Sequence, residues 1–177
     1  MSLQIGGNAI VAVSTLSDGI DAADYITTYL TNGGSNDLGV NGSAASVPFT
    51  YSPPVGKNFL LARFLIYMEA SGNFDSTKFM NLAALANGVQ ISVEGNVLTN
   101  WQDNIDVLCD MFDLSNAGTT FSLAQRSLAG RWTVTKGTTS EPIIVMFGQT
   151  VEALVRDNLS AGGIIYRIKV QGKLLDV

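Results

Sequence analysis

Four aspartates between positions 101 and 113 form the group of side chains in this sequence that comes closest to a chemical site. Asp103, Asp106, Asp110 and Asp113 are spaced three, four and three residues apart, so on a helix they would share one face. Four carboxylates on one face could bind Ca²⁺, which takes six to eight oxygen ligands. The run lacks the ligand spacing of an EF-hand loop, however, and a helix face splays its carboxylates. We therefore interpret it as a solvated acidic face and expect neither a metal site nor a cofactor.

Nucleophilic and acid–base chemistry has few candidate residues. The chain contains no histidine, which excludes Ser-His-Asp and Cys-His catalysis and imidazole metal ligands. Its single cysteine, Cys109, falls between the apolar and acidic stripes of the predicted helix, where we expect a small hydrophobe rather than a nucleophile. We predict that the protein is not an enzyme, and a glycosidase that uses only carboxylates is the remaining catalytic alternative.

Two other sets of side chains could bind a ligand. Arg63, in the middle of a predicted strand, is either a ligand clamp or half of a structural ion pair with a carboxylate, and we favour the pair. The second set is a group of aromatic residues that could form a platform for a sugar. We favour the other interpretation, in which they pack in the core or in an interface. The aromatic residues concerned are Tyr51, Tyr67, Trp101 and Trp132.

Composition limits the classes of partner. The 177 residues carry a net charge of −5, and only 14% of them are charged, against roughly 25% in ordinary soluble domains. Such a surface is either neutral and polar or partly covered by other subunits. A net-acidic chain without a basic run is a poor match for nucleic acid or an anionic membrane. No apolar run approaches the roughly 20 residues of a membrane helix.

The segment 47–70 is the strongest structural signal. Val47, Phe49 and Tyr51 alternate with polar residues, and residues 53–58 then form a turn. The pattern predicts a hairpin with a second, longer strand whose even positions face the core. Those positions are Leu60, Ala62, Phe64, Ile66, Met68 and Ala70.

The remaining elements complete an all-β prediction. Residues 101–112 have an apolar stripe typical of a helix, and Asn87-Gly88 is the strongest short hairpin signal. Eight or nine short alternating strands predict an antiparallel β-sandwich, jelly-roll-like, with one short helix and an extended N-terminal arm. The predicted core residues are Leu60, Phe64, Ile66, Val89, Ile91, Val93, Val151, Val155, Ile164 and Ile168.

The predicted domains are an N-terminal arm at residues 1–45 and a β-sandwich at residues 46–177. The arm is either a flexible terminus or a segment that orders against a neighbouring subunit, because its apolar clusters are too large for a solvated tail. The candidate interface residues are Ile10, Val11, Val13, Tyr25, Ile26, Tyr29 and Leu30.

Several local patterns, in this order, resemble the small virion structural proteins of tailed bacteriophages, and most of all their β-sandwich decoration (cement) proteins. The resemblance covers residues 40–172 and brings no catalytic residues. The patterns are Val40-Asn41-Gly42-Ser43, Phe49-x-Tyr51-x-Pro53-Pro54-x-Gly56-Lys57, Leu60-Leu61-Ala62-Arg63, Asn87-Gly88-Val89, Gly148-Gln149, Arg156-Asp157-Asn158-Leu159-Ser160 and Val170-Gln171-Gly172.

The resemblance implies a protein made in the host cytoplasm that assembles onto the virion. It would form a homo-oligomer, a trimer in our prediction, and would bind the major capsid protein on the capsid surface without contacting nucleic acid or membrane. The alternatives are a tail adaptor or fibre component, and a carbohydrate-binding module for host recognition.

Overall fold

The alternating segments of the sequence form nine strands, and the predicted helix also forms, in the residues described by the computed structural model: 25–112, 127–134, 143–161 and 164–177. The predicted strand at residues 119–124 and the side chains of Cys109 and Asp113 lie outside that description. The elements are β1 (Ile26–Tyr29), β2 (Val47–Tyr51), β3 (Lys57–Glu69), β4 (Val89–Val93), β5 (Asn96–Trp101), α1 (Asn104–Phe112), β6 (Ser127–Thr133), β7 (Ile143–Val145), β8 (Val151–Val155) and β9 (Ile165–Asp176).

These strands pair into two antiparallel sheets. Sheet A has the order β1-β9-β3-β6, with β7 also paired to β3, and sheet B has the order β2-β8-β4-β5. The long strand β3 organises sheet A, since β9 runs along one side of it while β7 and β6 share the other. The apolar faces of the two sheets meet in one core. This arrangement confirms the predicted all-β antiparallel sandwich with one short helix.

A β-bulge in β3 decides which of its side chains enter the core. Leu61 pairs with Gly172 and Arg63 pairs with Gln171, so Ala62 is the extra residue and the alternation shifts there. Phe59 and Leu61 are buried before the bulge, and Phe64, Ile66 and Met68 are buried after it. The prediction for Leu60 is therefore wrong, because Leu60 lies on the outer face of sheet A. The other nine predicted core residues are all buried.

The predicted hairpin of β2 and β3 is also wrong. Residues 52–56 do turn the chain, but they cross from sheet B to sheet A, and β2 pairs with β8 instead. The hairpin predicted at Asn87-Gly88 is also misplaced, because the chain forms its hairpin at the following turn, after β4. β4 and β5 are joined at Glu94 and Gly95, which have positive φ values of 54° and 75°, the backbone that a tight hairpin turn requires.

The described part of the predicted arm belongs to the sandwich. β1 pairs with β9 from Ile26↔Gly172 to Tyr29↔Lys169, and Leu30 and Leu38 are fully buried. The predicted boundary at residue 45 is therefore corrected: β1 completes sheet A, and the segment that follows it packs Leu30 and Leu38 into the core. Residues 1–24, with the predicted interface residues Ile10, Val11 and Val13, lie outside the described chain.

The bulge gives a paired test of the strand faces. Phe64 is fully buried and stacks on Trp132 with ring centroids 5.3 Å apart, so Phe64→Ala should cost about 3–5 kcal/mol of unfolding free energy. Leu60→Ala, four positions earlier on the outer face, should cost about 1 kcal/mol or less. Urea denaturation of both variants measures the difference, and equal losses would mean that the bulge is misplaced.

Candidate binding surfaces

The aspartates on α1 hold the helix in place. Asp103 Oδ1 accepts a hydrogen bond from the backbone N–H of Asp106 at 2.9 Å, which caps the helix N-terminus. Asp106 Oδ2 accepts in turn from the backbone N–H of Gln102 at 3.0 Å. Asp110 Oδ2 accepts from the indole Nε1–H of Trp101 at 2.5 Å and from the hydroxyl of Thr99. The interpretation as a solvated face is therefore wrong at Asp110, whose half-buried carboxylate ties α1 to β5.

The candidate ligand groups of the sequence are dispersed. Among the described residues, no three His, Cys, Asp or Glu side chains come close enough together to hold a metal ion. Trp101 is fully buried and meets Trp132 edge to face at 5.8 Å, which confirms packing rather than a sugar platform for these two rings. Tyr51 packs edge to face on Phe59 at 5.0 Å, whereas Tyr67 lies on the outer face of sheet A.

Arg63 is buried although it points away from the core. It is only 4% exposed, its guanidinium lies 4.6 Å from the ring centre of Tyr25, and one of its N–H groups donates to the Tyr25 hydroxyl. The bulge turns Arg63 to the outer face of sheet A, where Tyr25, just before β1, covers it. The described contacts of Arg63 are thus with Tyr25, and its pairing with a carboxylate stays a prediction.

One polar network fixes the loops at one end of the sandwich. Asp157 Oδ2 accepts hydrogen bonds from the backbone N–H groups of Asn87 at 2.8 Å and Gly88 at 2.7 Å. Arg156 donates to the backbone carbonyl of Asn87 and to Asn100 Oδ1. These hydrogen bonds join the loops to one another, so we interpret the residues as a structural clamp.

The opposite end of the sandwich exposes apolar side chains. At this end β2, β4, β7 and β9 finish and β3, β5 and β8 begin, as the pairs Tyr51↔Val151, Val93↔Asn96 and Lys57↔Asp176 show. All of the large hydrophobic side chains that are strongly exposed in the described chain, between 48% and 84%, lie here. We call this surface the apolar end, and its residues are Val55, Val97, Ile144, Met146, Phe147 and Val177.

The outer face of sheet A concentrates positive charge. Five of the eight described Lys and Arg residues point outward from β3, β6 and β9, with Glu69 as the one described carboxylate beside them. The other described residues carry nine acidic and three basic side chains. We call this surface the basic face, and its charged residues are Arg63, Arg131, Arg167, Lys169, Lys173 and Glu69.

A pocket of about 440 Å³ lies in the basic face. Leu65, Tyr67 and Ala129 give it apolar walls, and Arg167 and Lys169 bring two cations to it. Lys169 Nζ lies 4.5 Å from the ring centre of Tyr29, another lining residue. The hydroxyl of Tyr67 donates to Glu69 at 2.7 Å, and this hydrogen bond raises the pKa of Tyr67.

Both surfaces were missed from the sequence, although part of the signal was there. Arg167, Lys169 and Gln171 alternate with buried residues in β9, which predicts a polar outer face but does not say which strands extend it. The predicted interface residues divide accordingly: Tyr25 and Tyr29 lie on the basic face, whereas Ile26 and Leu30 point to the core. Buried Leu30 is thus unavailable to a neighbouring subunit.

Comparison with protein-family models, with curated proteins and with solved structures finds no match to this chain. Within the described ranges, α1 is too short to cross a membrane, and none of the helices there meets the length and hydropathy of a membrane span.

The contact of Asp110 with Trp101 predicts a specific loss of stability. Asp110→Ala leaves the indole N–H of a fully buried tryptophan without this acceptor and should cost about 1–3 kcal/mol. Asp110→Asn keeps a carbonyl oxygen and should cost less than half as much. Urea denaturation followed by tryptophan fluorescence compares the two, and small equal losses would contradict the proposed role of this carboxylate.

Burial of Tyr166 predicts a loss of stability at alkaline pH. The side chain is fully buried, and burial, followed by the nearby charge of Asp110, raises the pKa of its hydroxyl well above 10.0. The unfolded tyrosine ionises near pH 10 while the folded one stays neutral, so its stabilising contribution is complete below that pH and is lost above it. Relative to Tyr166→Phe, the wild type should lose about 1.4 kcal/mol per pH unit above pH 10.

Urea denaturation between pH 8 and pH 11.5 measures this difference, with Tyr29→Phe as the control at a tyrosine on the surface. The Tyr166→Phe protein should be as stable as the wild type near pH 8, because this hydroxyl has no hydrogen-bond partner among the described residues. Parallel curves for wild type and Tyr166→Phe would contradict the account.

Proposed function

We infer that this chain is a virion structural protein that binds and stabilises a bacteriophage capsid surface as a decoration, or cement, protein. The observation that carries the proposal is the apolar end. Exposed apolar side chains are common singly on protein surfaces, but a group of them gathered on one surface marks a contact with another protein. Here Val55, Met146 and Phe147 come from two connections between strands, and the rest are Ile144 in β7, Val97 in β5 and Val177.

The apolar end is held in a fixed shape, which favours binding. The backbone N–H of Phe147 donates to Asn58 Oδ1 at 2.9 Å, and the N–H of Gln149 donates to the carbonyl of Met146 at 3.0 Å. Lys57 forms a salt bridge with Asp176 beside Val177, whose N–H donates to the carbonyl of Gly56 at 3.3 Å. A surface that is already ordered loses less conformational entropy when a partner binds.

The sequence patterns behind the resemblance coincide with this geometry. The pattern from Phe49 to Lys57 spans the end of β2 and the start of β3, and Gly148-Gln149 turns β7 toward β8, so both build the apolar end. The patterns at Asn87-Gly88 and Arg156-Asp157 build the clamp at the other end. Five of the seven patterns thus lie at loops, as expected for a protein whose function is assembly, and the patterns at residues 60–63 and 170–172 lie within β3 and β9.

The proposed partner of the apolar end is the major capsid protein. A stable contact of standard size buries about 800 Å² on each partner, which requires the apolar residues and a polar rim around them. We retain a homotrimer as the proposed oligomer. Light scattering measures the oligomer, and a trimer whose formation buries the apolar end would reassign this surface to contacts between copies.

The alternatives have different support. A tail adaptor or fibre component would use the same apolar end against another virion protein. A carbohydrate-binding module is less well supported, because Trp101 and Trp132, which were candidates for its aromatic platform, pack in and against the core.

Capsid binding is tested with heads of the parent particle that lack this protein. The wild type should bind and cosediment with them, and the double variant Met146→Ser, Phe147→Ser should lose at least about tenfold in affinity, because it removes two exposed anchors without touching the core. The matched control is Leu154→Ser on the outer face of sheet B, which should bind like the wild type. Wild-type protein that fails to bind the heads would refute the proposal, and equal binding of the double variant would refute the assignment of the surface.

A further inference from the structure

The basic face is separated in charge from the rest of the molecule. Its described residues carry five positive charges and one negative charge, while the remaining described residues carry nine negative and three positive. A row of cations on an acidic chain creates a local positive potential that attracts anions. The separation follows from the pleat, since outward positions of β3, β6 and β9 hold the cations.

The pocket gives this face a specific place for a ligand. Arg167 and Lys169 line it together with the apolar side chains of Leu65 and Ala129. Arg167 is partly exposed where it lines the pocket, so its guanidinium is within reach of a group that enters there. A guanidinium at a pocket wall can form charge-assisted hydrogen bonds when a carboxylate or phosphate enters the pocket.

The surroundings of the pocket favour carboxylates of a protein over nucleic acid. One face of the Tyr29 ring is covered by Lys169 and one face of the Tyr25 ring by Arg63, so these rings are poor platforms for stacked bases. A polyanion longer than the face would also meet the acidic remainder of the chain. The face is about 15 Å wide across four strands and about 20 Å long from Arg63 to Glu69, which matches about six residues of extended chain.

We propose that the basic face binds an extended acidic segment of a partner protein. Its carboxylates contact Arg167, Lys169 and Arg131, and one apolar side chain enters the pocket against Leu65. This inference rests on the charge distribution and the pocket, and it is independent of the capsid proposal, which concerns the apolar end. It adds a second interaction surface at a different place on the sandwich.

The test uses the full chain and a fluorescent nine-residue peptide with four glutamates, four serines and one central leucine. A control peptide has glutamine in place of each glutamate. Fluorescence anisotropy at low salt should show at least about tenfold tighter binding of the glutamate peptide, and added salt should weaken that binding. Arg167→Gln and Lys169→Gln should each weaken it about fivefold to tenfold, because each removes a charge-assisted hydrogen bond.

The matched control is Lys78→Gln, which removes one positive charge away from the basic face, where Lys78 forms an exposed ion pair with Asp75 at 3.7 Å. This variant should bind the peptide like the wild type, and thermal melts should show that all variants fold. Equal binding of the glutamate and glutamine peptides, or unchanged binding by both pocket variants, would overturn the proposal. Tighter binding of an oligonucleotide than of the glutamate peptide would overturn the assignment to a protein partner.

Discussion

The extra residue in β3 is the constraint on which the arrangement of this molecule depends. β3 pairs with β9, β6 and β7 at once, so a change in its alternation is transmitted through sheet A. The bulge sits opposite Gly172, where a Cβ atom would lie 2.0 Å from the carbonyl oxygen of Leu60. Only glycine permits that close approach of the two backbones. The carbonyl of Ala62 accepts a hydrogen bond from Val134 at 3.1 Å, which satisfies the bulged residue.

The same shift in alternation determines which side chains of β3 face outward. After the bulge, Phe64 and Ile66 face the core and Arg63, Leu65 and Tyr67 face outward, where they meet the outward cations of β9. The bulge therefore adds Arg63, Leu65 and Tyr67 to a face whose other cations come from the regular alternation of β6 and β9. The apolar end has a different origin, because Val55, Met146 and Phe147 lie in connections between the two sheets. The two surfaces adjoin at Leu60, which lies between Lys173 of the basic face and Ile144 of the apolar end.

The sequence predicted the strands and the helix better than it predicted which strands lie side by side. Alternation in β3, β4, β8 and β9 gave the strands and most of the core, because burial of one face imposes a period of two residues. It could not show that β2 pairs with β8, since alternation carries no information about which strand lies alongside. Leu60 was misplaced because a bulge leaves no clear mark in the apolar pattern. Asp110 was misplaced because its partner, Trp101, belongs to β5 rather than to the helix. Predicting the apolar end and the basic face would have required the strand pairing as well as the alternating sequence pattern.

Cryo-electron microscopy of the parent particle tests the central claim, that this sandwich attaches to a capsid through its apolar end. The account predicts density for the sandwich on the outside of the head. In that density Phe147, Met146 and Val55 should lie against the capsid protein, and the polar clamp of Arg156 and Asp157 should point away from it. A reconstruction in which the apolar end faces solvent, or in which the head carries no density for this chain, would contradict the account.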